Sequence, residues 1–309
     1  VSDRPDVHAA TLIARFRRQR PLRGGSLLVT MFGDGIATRG GAITLGSLIQ
    51  LAAPFGLNER LVRTAVGRLA IDGWLQAVRQ GRISEYSLSA SGRARFAAAT
   101  ERIYGAMPRV WDGRWTIIVP ADAKAPAIQQ LRNALRWEGF GELGRGVFIH
   151  PTRTVESAMA LLTALVGEAA PFVVRSEPQA RAQDLRVVRL GWNLSSIESS
   201  YQSFTRLFDP VARALRRATA ISPITAYSIR TLLIHEFRKV NLRDPQLPSE
   251  LLPDTWSGTL AYALCRDVYA SVLDPSERHL SAVGACFAGR LPRADAQLLR
   301  RFGGLRSST

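Results

Sequence analysis

Apolar positions run together in residues 26–34 (SLLVTMFGD), and the run stops at Gly33 and Gly35. A second segment, residues 44–56, opens at a Thr44 N-cap and closes at Pro54 and Gly56, the signals that start and stop a helix. A third, residues 58–74, opens at Asn58, with Glu59 suited to the positive helix end, and closes at Gly73. On it Leu61, Val62, Ala65, Val66 and Leu69 recur every three or four residues and are expected to face a core. Arg60, Arg63, Thr64, Gly67 and Arg68 fall on the opposite side. Residues 75–88 then alternate around Gln80 and Gly81, which predicts a hairpin with Tyr86 and Leu88 inward and Arg79 and Arg82 at its tip.

Further along, strand and helix patterns alternate. Strands are predicted at 114–120, 146–150 and 171–175, with a short partner just before the second. Amphipathic helices are predicted from Pro126 and over 154–167. The order βαββαβ is that of a ferredoxin-like domain, a plan that implies no function by itself. From residue 195 the chain reads as helices, at 195–208, 225–240 and 255–273, each with an apolar stripe of the kind that builds a core or a dimer interface. The expectation is an α+β chain in three parts. Residues 1–104 form a basic arm (Arg15, Arg17, Arg18, Arg20), a PLRGG break at 21–25 and a winged helix-turn-helix. Residues 105–194 form the ferredoxin-like domain, and residues 195–309 a mostly helical C-terminal domain.

Charge sharpens this picture. Lys and Arg number 41 against 25 Asp and Glu, for a net charge of +16, and half of that excess lies in residues 1–104. Only Lys124 and Lys239 are lysines, so codon bias competes with a polyanionic partner as the explanation, and placement matters more than total. Three helices followed by a basic hairpin give the charge a use. A helix fits the major groove, where Arg and Thr reach base edges, while a hairpin lies along phosphates. The competing reading of Arg60, Arg63 and Arg68 is a solvated helix face; the hairpin arginines favour duplex DNA.

Other classes lose ground. Cys265 and Cys286 are too few and too far apart for a disulfide scaffold or a CxxC site, which suits a reduced cytoplasmic setting. No membrane span or signal peptide is expected, and Val1 fits a removed initiator Met. His235-Glu236 opens like HExxH, but Lys239 stands where the second histidine belongs. His8, His150, His235 and His279 lack ligand spacing, and no phosphate-binding glycine loop or GxSxG elbow occurs. No enzyme activity, cofactor or metal is expected. RNA binding on the central strands would want more aromatic residues than Trp115 and Phe148.

The chain resembles the PaaX-type repressors of phenylacetic acid degradation over roughly residues 26–285. The marks are VTMFGDGI…RGG (29–41), LVRTAVGRLAIDGWL (61–75) and GRISEYSLSASGRARF…RIY (81–104). They continue with WDGRWTIIVP (111–120), LGWNL (190–194) and HEFRKVNLRDPQLPSELLPDTWSG (235–258). The resemblance implies a winged-helix repressor that binds operators of aromatic-acid catabolic operons as a homodimer and is released by phenylacetyl-coenzyme A. It also implies a middle domain similar to the small CRISPR spacer-acquisition nuclease. Onto Arg63, Thr64 and Arg68 it carries a base or phosphate role, with Arg60 beside them, and onto Arg79 and Arg82 a phosphate role.

No residue motif carries the effector pocket over. An acyl-coenzyme A asks for Arg at its phosphates and an apolar slot for its acyl group. Trp192, Tyr201, Arg243 and Trp256, in the matching segments, are the candidates, with aromatic core packing and a surface or helix-end Arg as the competing accounts. The alternatives are a repressor answering another acyl-coenzyme A, or a metal-dependent nuclease using Asp122 after the first middle-domain strand. A small-molecule enzyme in the helical domain lacks a catalytic constellation.

Overall fold

The computed structural model describes residues 4–105, 110–119, 125–144, 146–166 and 172–305. Two compact units emerge. The first comprises Val1–Ala106, Ser203–Lys239 and Leu260–Thr309, and the second Met107–Gln202 and Val240–Thr259. The C-terminal third is thus shared between them.

The first unit begins with α1 (Pro5–Arg17). The segment expected as a basic arm is therefore a helix. Its Ala9, Leu12 and Phe16 are buried at helical spacing, and Phe16 meets the rings of Phe55 and His235 edge-on. Helix α2 (Gly24–Met31) does not stop at Gly33. The backbone widens into a π turn over Phe32–Ile36, tightens into a 3-10 turn over Ala37–Arg39, and ends at Gly40, whose φ of 85° only glycine adopts freely. Gly33 and Gly35 are there for closeness: a Cβ on Gly33 would lie 2.7 Å from Phe96, and one on Gly35 3.3 Å from Leu280.

Strand β1 (Ala42–Thr44) leads into α3 (Leu45–Ala52), capped by the Thr44 hydroxyl. Next come α4 (Glu59–Ile71), the hairpin β2 (Leu75–Gln80) and β3 (Ile83–Leu88), and α5 (Ala90–Tyr104). The sheet order is β1-β3-β2, all antiparallel. Ser89 caps α5 through the Gly92 N–H.

In the second unit, β4 (Thr116–Val119), α6 (Ala125–Trp137), β5 (Gly141–Glu142), β6 (Phe148–His150), α7 (Val155–Val166) and β7 (Phe172–Arg175) follow in turn. They build a four-stranded antiparallel sheet of order β5-β6-β4-β7. Ile118, Leu131, Leu135, Phe140, Phe148, Ala158 and Leu162 form its core against α6 and α7. Helix α8 (Arg181–Gly191), unread in the sequence, follows.

The helices α9 (Leu194–Arg217), α10 (Pro223–Asn241) and α11 (Ser257–Val283) exceed their predicted lengths, and α9 and α11 run through Pro210 and Pro275. Just after Pro275, which has no N–H to give the Ser271 carbonyl one turn back, the Ser276 hydroxyl donates to the Leu273 oxygen at 2.6 Å. A small ribbon, β8 (Ala285–Cys286) and β9 (Gly289–Arg290), and α12 (Ala296–Arg300) complete the first unit.

Asp34 anchors the first unit. Its carboxylate accepts from Arg230 and Arg301 at 2.7 Å each, from the Tyr104 hydroxyl at 2.7 Å and from the Tyr269 hydroxyl at 2.9 Å. Arg230 also reaches Glu277, which holds Arg39 on its other oxygen. Burial alone would push the Asp34 carboxyl up, but the two guanidiniums and two hydroxyls together hold it below the usual range.

His235 is buried nearby, with Nδ1 3.1 Å from the Thr30 hydroxyl. Burial, then the cations Lys239, Arg238 and Arg23, holds its imidazole well below the ordinary 6.5. Once unfolded it protonates near 6.5, so the unfolded state binds more protons below that pH. Stability should fall as pH drops from about 6.5, by up to about 1.4 kcal/mol per pH unit. Thermal unfolding at stepped pH checks this, and His235→Gln should flatten the dependence; His279, also depressed by burial, acts in the same direction.

Candidate nucleic-acid interface and ligand groove

Helix α4 starts at Asn58, whose side-chain oxygen accepts from the Leu61 N–H at 2.9 Å. Val62, Val66 and Leu69 face the core. The apolar stripe is narrower than the sequence suggests: Ala65 is half-buried and Leu61 is 42% exposed, next to the arginine face. Arg60, Arg63, Thr64 and Arg68 are all exposed. Thr64 donates to the Arg60 carbonyl at 2.9 Å, and Arg63 pairs with Glu59 at 2.7 Å one turn back. Both partners of that pair are more than half exposed, so it is worth only about 0.3–0.5 kcal/mol and does not restrain Arg63.

The β2–β3 hairpin closes through a two-residue loop with Gly81 at φ 57°, the positive φ such a loop demands at its first position. Arg79 donates to the Gly81 carbonyl at 2.9 Å, bracing the tip, and Arg82 is exposed beside it. Arg60, Arg68 and Arg82 have no ion-pair partner among the described residues. At the hairpin base the carbonyl of Gly73 takes both the Ser89 and Ser91 hydroxyls, at 2.6 and 2.7 Å. Trp74 packs edge-on against Phe96 with Arg95 over its face. The structure thus presents five exposed arginines and a threonine on one helix and one rigidly based hairpin.

The second unit holds a groove of about 980 Å³. Trp192 and Arg243 line it, as do Arg136 and Arg189, which the sequence reading missed. Tyr201 and Trp256 do not line it. They are 2% and 4% exposed and their rings meet edge-on at 6.1 Å, so core packing accounts for both. The Tyr201 hydroxyl donates to Asp244 at 2.7 Å, and the same carboxylate accepts the Gln246 N–H, also at 2.7 Å. That pair of bonds shapes the loop after α10, which brings Arg243 and Pro245 to the groove.

Trp192 is a fixed wall. Its indole N–H donates to the Gly139 carbonyl at 3.1 Å, and its ring lies so close to Gly141 that a Cβ there would sit 2.7 Å from it. Trp115 backs it at 6.1 Å, itself tied to Asp184 at 2.8 Å. Gly141→Ala should therefore dislodge Trp192 and cost about 1–3 kcal/mol, read as a lower melting temperature and a changed near-ultraviolet circular dichroism band. Phe140, Val188 and Ile197 continue the apolar wall.

The cations sit differently. Glu142 pairs with Arg132 at 3.0 Å and Arg136 at 3.2 Å, and despite partial burial those arginines hold its carboxyl below the usual range. Arg189 has no ion-pair partner among the described residues. The first turn of α9, capped by Asn193 on the Ser196 N–H at 3.2 Å, adds its positive end. Such a groove can take a ligand with an apolar end and an anionic end.

No group of three or more His, Cys, Asp or Glu that could hold a metal occurs among the described residues. Asp122 lies outside the described residues. No helix of the described residues is long and apolar enough to cross a membrane.

Comparison with known proteins agrees along the chain. Residues 23–92 match the model of the PaaX-like protein family, residues 108–188 that of the PaaX protein central Cas2-like domain, and residues 192–282 that of the PaaX-like protein C-terminal domain. The transcriptional repressor PaaX of Escherichia coli strain K12 is 35% identical over 293 residues, 92% of each chain. A solved structure, the uncharacterised protein Rv0674 from Mycobacterium tuberculosis, matches with a TM-score of 0.47 at 24% identity, over 74% of this chain and 88% of that one. With its N-terminal, central and C-terminal segments all matched in order, the chain belongs to the PaaX family.

Proposed function

We propose that this protein is a DNA-binding transcriptional repressor of an aromatic-acid catabolic operon of the phenylacetate type, and that it acts by binding rather than by catalysis. The observation that carries the reading is the exposed arginine face of α4 beside the Arg79–Arg82 hairpin, in a chain 35% identical to a named repressor. In this reading α2 to α4 and the hairpin are a winged helix-turn-helix. Helix α4 enters the major groove and the hairpin is the wing on the phosphates. The protein works as a homodimer whose two α4 helices meet half-sites of an inverted repeat about 34–36 Å apart or a multiple of that.

The effector is an aryl-acyl-coenzyme A such as phenylacetyl-coenzyme A. The groove of the second unit offers Trp192 to the aryl group and Arg136, Arg189 and Arg243 to the phosphates. The liganded state fits the half-site spacing less well, and by linkage DNA weakens effector binding by the same factor.

Selection of bound duplexes from a random-sequence pool, followed by gel shift, tests the first claim; a pool without an enriched inverted repeat would sink it. Thermal unfolding against phenylacetyl-coenzyme A, free coenzyme A and aliphatic acyl esters tests the second. Effector at about 100 times its Kd should stabilise the protein by about 2.7 kcal/mol. Arg189→Glu, an exposed change, should remove most of that shift while leaving the unliganded melting temperature within about 0.5 kcal/mol equivalents.

A further inference from the structure

The last segment of the first unit, residues 284–305, is fastened to the α2–α3 region with more bonds than a surface tail requires. The Ser47 hydroxyl, in the first turn of α3, accepts the Ala285 N–H and donates to the Val283 carbonyl, both at 3.0 Å. The Phe287 N–H donates to the carboxylate of Glu85. Glu85 lies on β3 opposite Thr44, the cap of α3, and opposite Val78 of the hairpin. Buried Arg39 donates to the Pro292 carbonyl at 2.7 Å, and the Asp295 N–H to the Thr38 carbonyl at 2.8 Å. Leu291 is buried against Gly284, which has no room for a Cβ. The β8–β9 ribbon is therefore a platform seated on the first turn of α3 and on the middle of the hairpin's second strand.

That platform carries charge outward. Arg290 and Arg293 are exposed and share an open groove with exposed Arg278 of α11, and none of the three has an ion-pair partner among the described residues. The acids on that groove are Asp274, Glu277 and Asp295. Glu277 is occupied by Arg39 and Arg230, and Asp295 caps α12 through the Gln297 N–H. Glu85, a carboxylate that would face a phosphate backbone unfavourably, is instead turned to the ribbon's own N–H.

We propose that the β8–β9 ribbon, with the stretch between it and α12, is a second phosphate-contacting element. Arg290 and Arg293 would grip the duplex backbone on the side where α3, the helix before the reading helix, crosses it. The matched family domains end at residue 282, so this element lies beyond them. The inference rests on the DNA-binding reading above. It adds sequence-independent affinity, because phosphate contacts position a protein without reading bases.

The test compares Arg290→Gln/Arg293→Gln with wild type on the selected duplex and on a random-sequence duplex of equal length. Affinity is measured at several salt concentrations from about 50 to 200 mM. Both substitutions are exposed, and a thermal melt confirms folding. The expected result is an affinity loss on the order of tenfold at low salt, equal on both duplexes. The slope of log affinity against log salt should be shallower by about 2, near 0.9 for each lost contact. Unchanged affinity and slope, with Arg82→Gln weakened, would overturn the ribbon's role alone. An equal loss in Arg206→Gln/Arg216→Gln would assign the effect to net charge and also overturn it. A wild-type protein that binds neither duplex would remove the DNA-binding reading and the ribbon together.

Discussion

Asp34→Ala should cost about 3–5 kcal/mol of folding stability, the largest loss expected from any single change in this chain. The carboxylate is 5% exposed and compensates two guanidiniums, Arg230 and Arg301, that are 1% and 3% exposed. Removing it leaves both cations buried against each other, with Glu277 able to serve only Arg230 and Arg39. A loss of this size approaches the whole stability of many domains, so the variant should melt far below wild type or fail to accumulate. Asp34→Asn keeps the shape and should recover little, since it restores hydrogen bonding and not charge. The same centre sets an acid limit. A carboxyl held below its unfolded value of about 3.9 contributes fully above that pH, and the contribution disappears as pH falls through the lower native value. Chemical denaturation at stepped pH should therefore show the Asp34 contribution intact near neutrality and eroding only below about pH 4. That separates it from the histidine effect, which sets in near 6.5.

Arg63→Ala should weaken operator binding by about 1–3 kcal/mol, roughly 5- to 150-fold, if Arg63 reads a base, and should relax specificity at one position of the half-site. Its bond to Glu59 is exposed and weak, so the free protein should melt as wild type does. Arg82→Ala should behave otherwise. A phosphate contact from the hairpin tip is lost equally on every sequence, and the salt dependence becomes shallower by about 1. Binding titrations on the selected site and on its single-base variants separate the two. Identical behaviour of both variants would remove the distinct roles assigned to helix and hairpin.

The elements that meet the proposed DNA were legible because local rules governed them. Asn58 and Thr44 cap their helices, Gly81 sits at the hairpin loop, and the arginines of α4 lie opposite Val62, Val66 and Leu69. Local rules misled where a partner far along the chain decided the outcome. Gly33 and Gly35 look like helix breakers, yet they admit Phe96 and Leu280, while distant arginines and tyrosines hold Asp34 between them. The basic N-terminus looks like a loose arm because its arginines are visible and its thin stripe of Ala9, Leu12 and Phe16 is not. Two of the four effector candidates proved to be core for a related reason. Aromatic side chains serve packing and binding equally well, and only the fold separates Trp192, which lines the groove, from buried Trp256, which does not. Arg189 escaped notice because α8 is short and largely polar, with only Asp184 and Val188 buried.

The Asp34 centre also bears on how the protein is made. Arg230 follows Asp34 by 196 residues and Arg301 by 267. At a ribosome's pace of about 5–20 residues per second, the emerging N-terminal helices wait on the order of 13–50 seconds for their last counter-charge. A nascent or truncated chain ending before Arg230 would have to keep the Asp34 carboxyl hydrated or protonated, so its helices could not close as they do in the finished molecule. The segment that is synthesised first reaches its final form only after Arg301 has emerged.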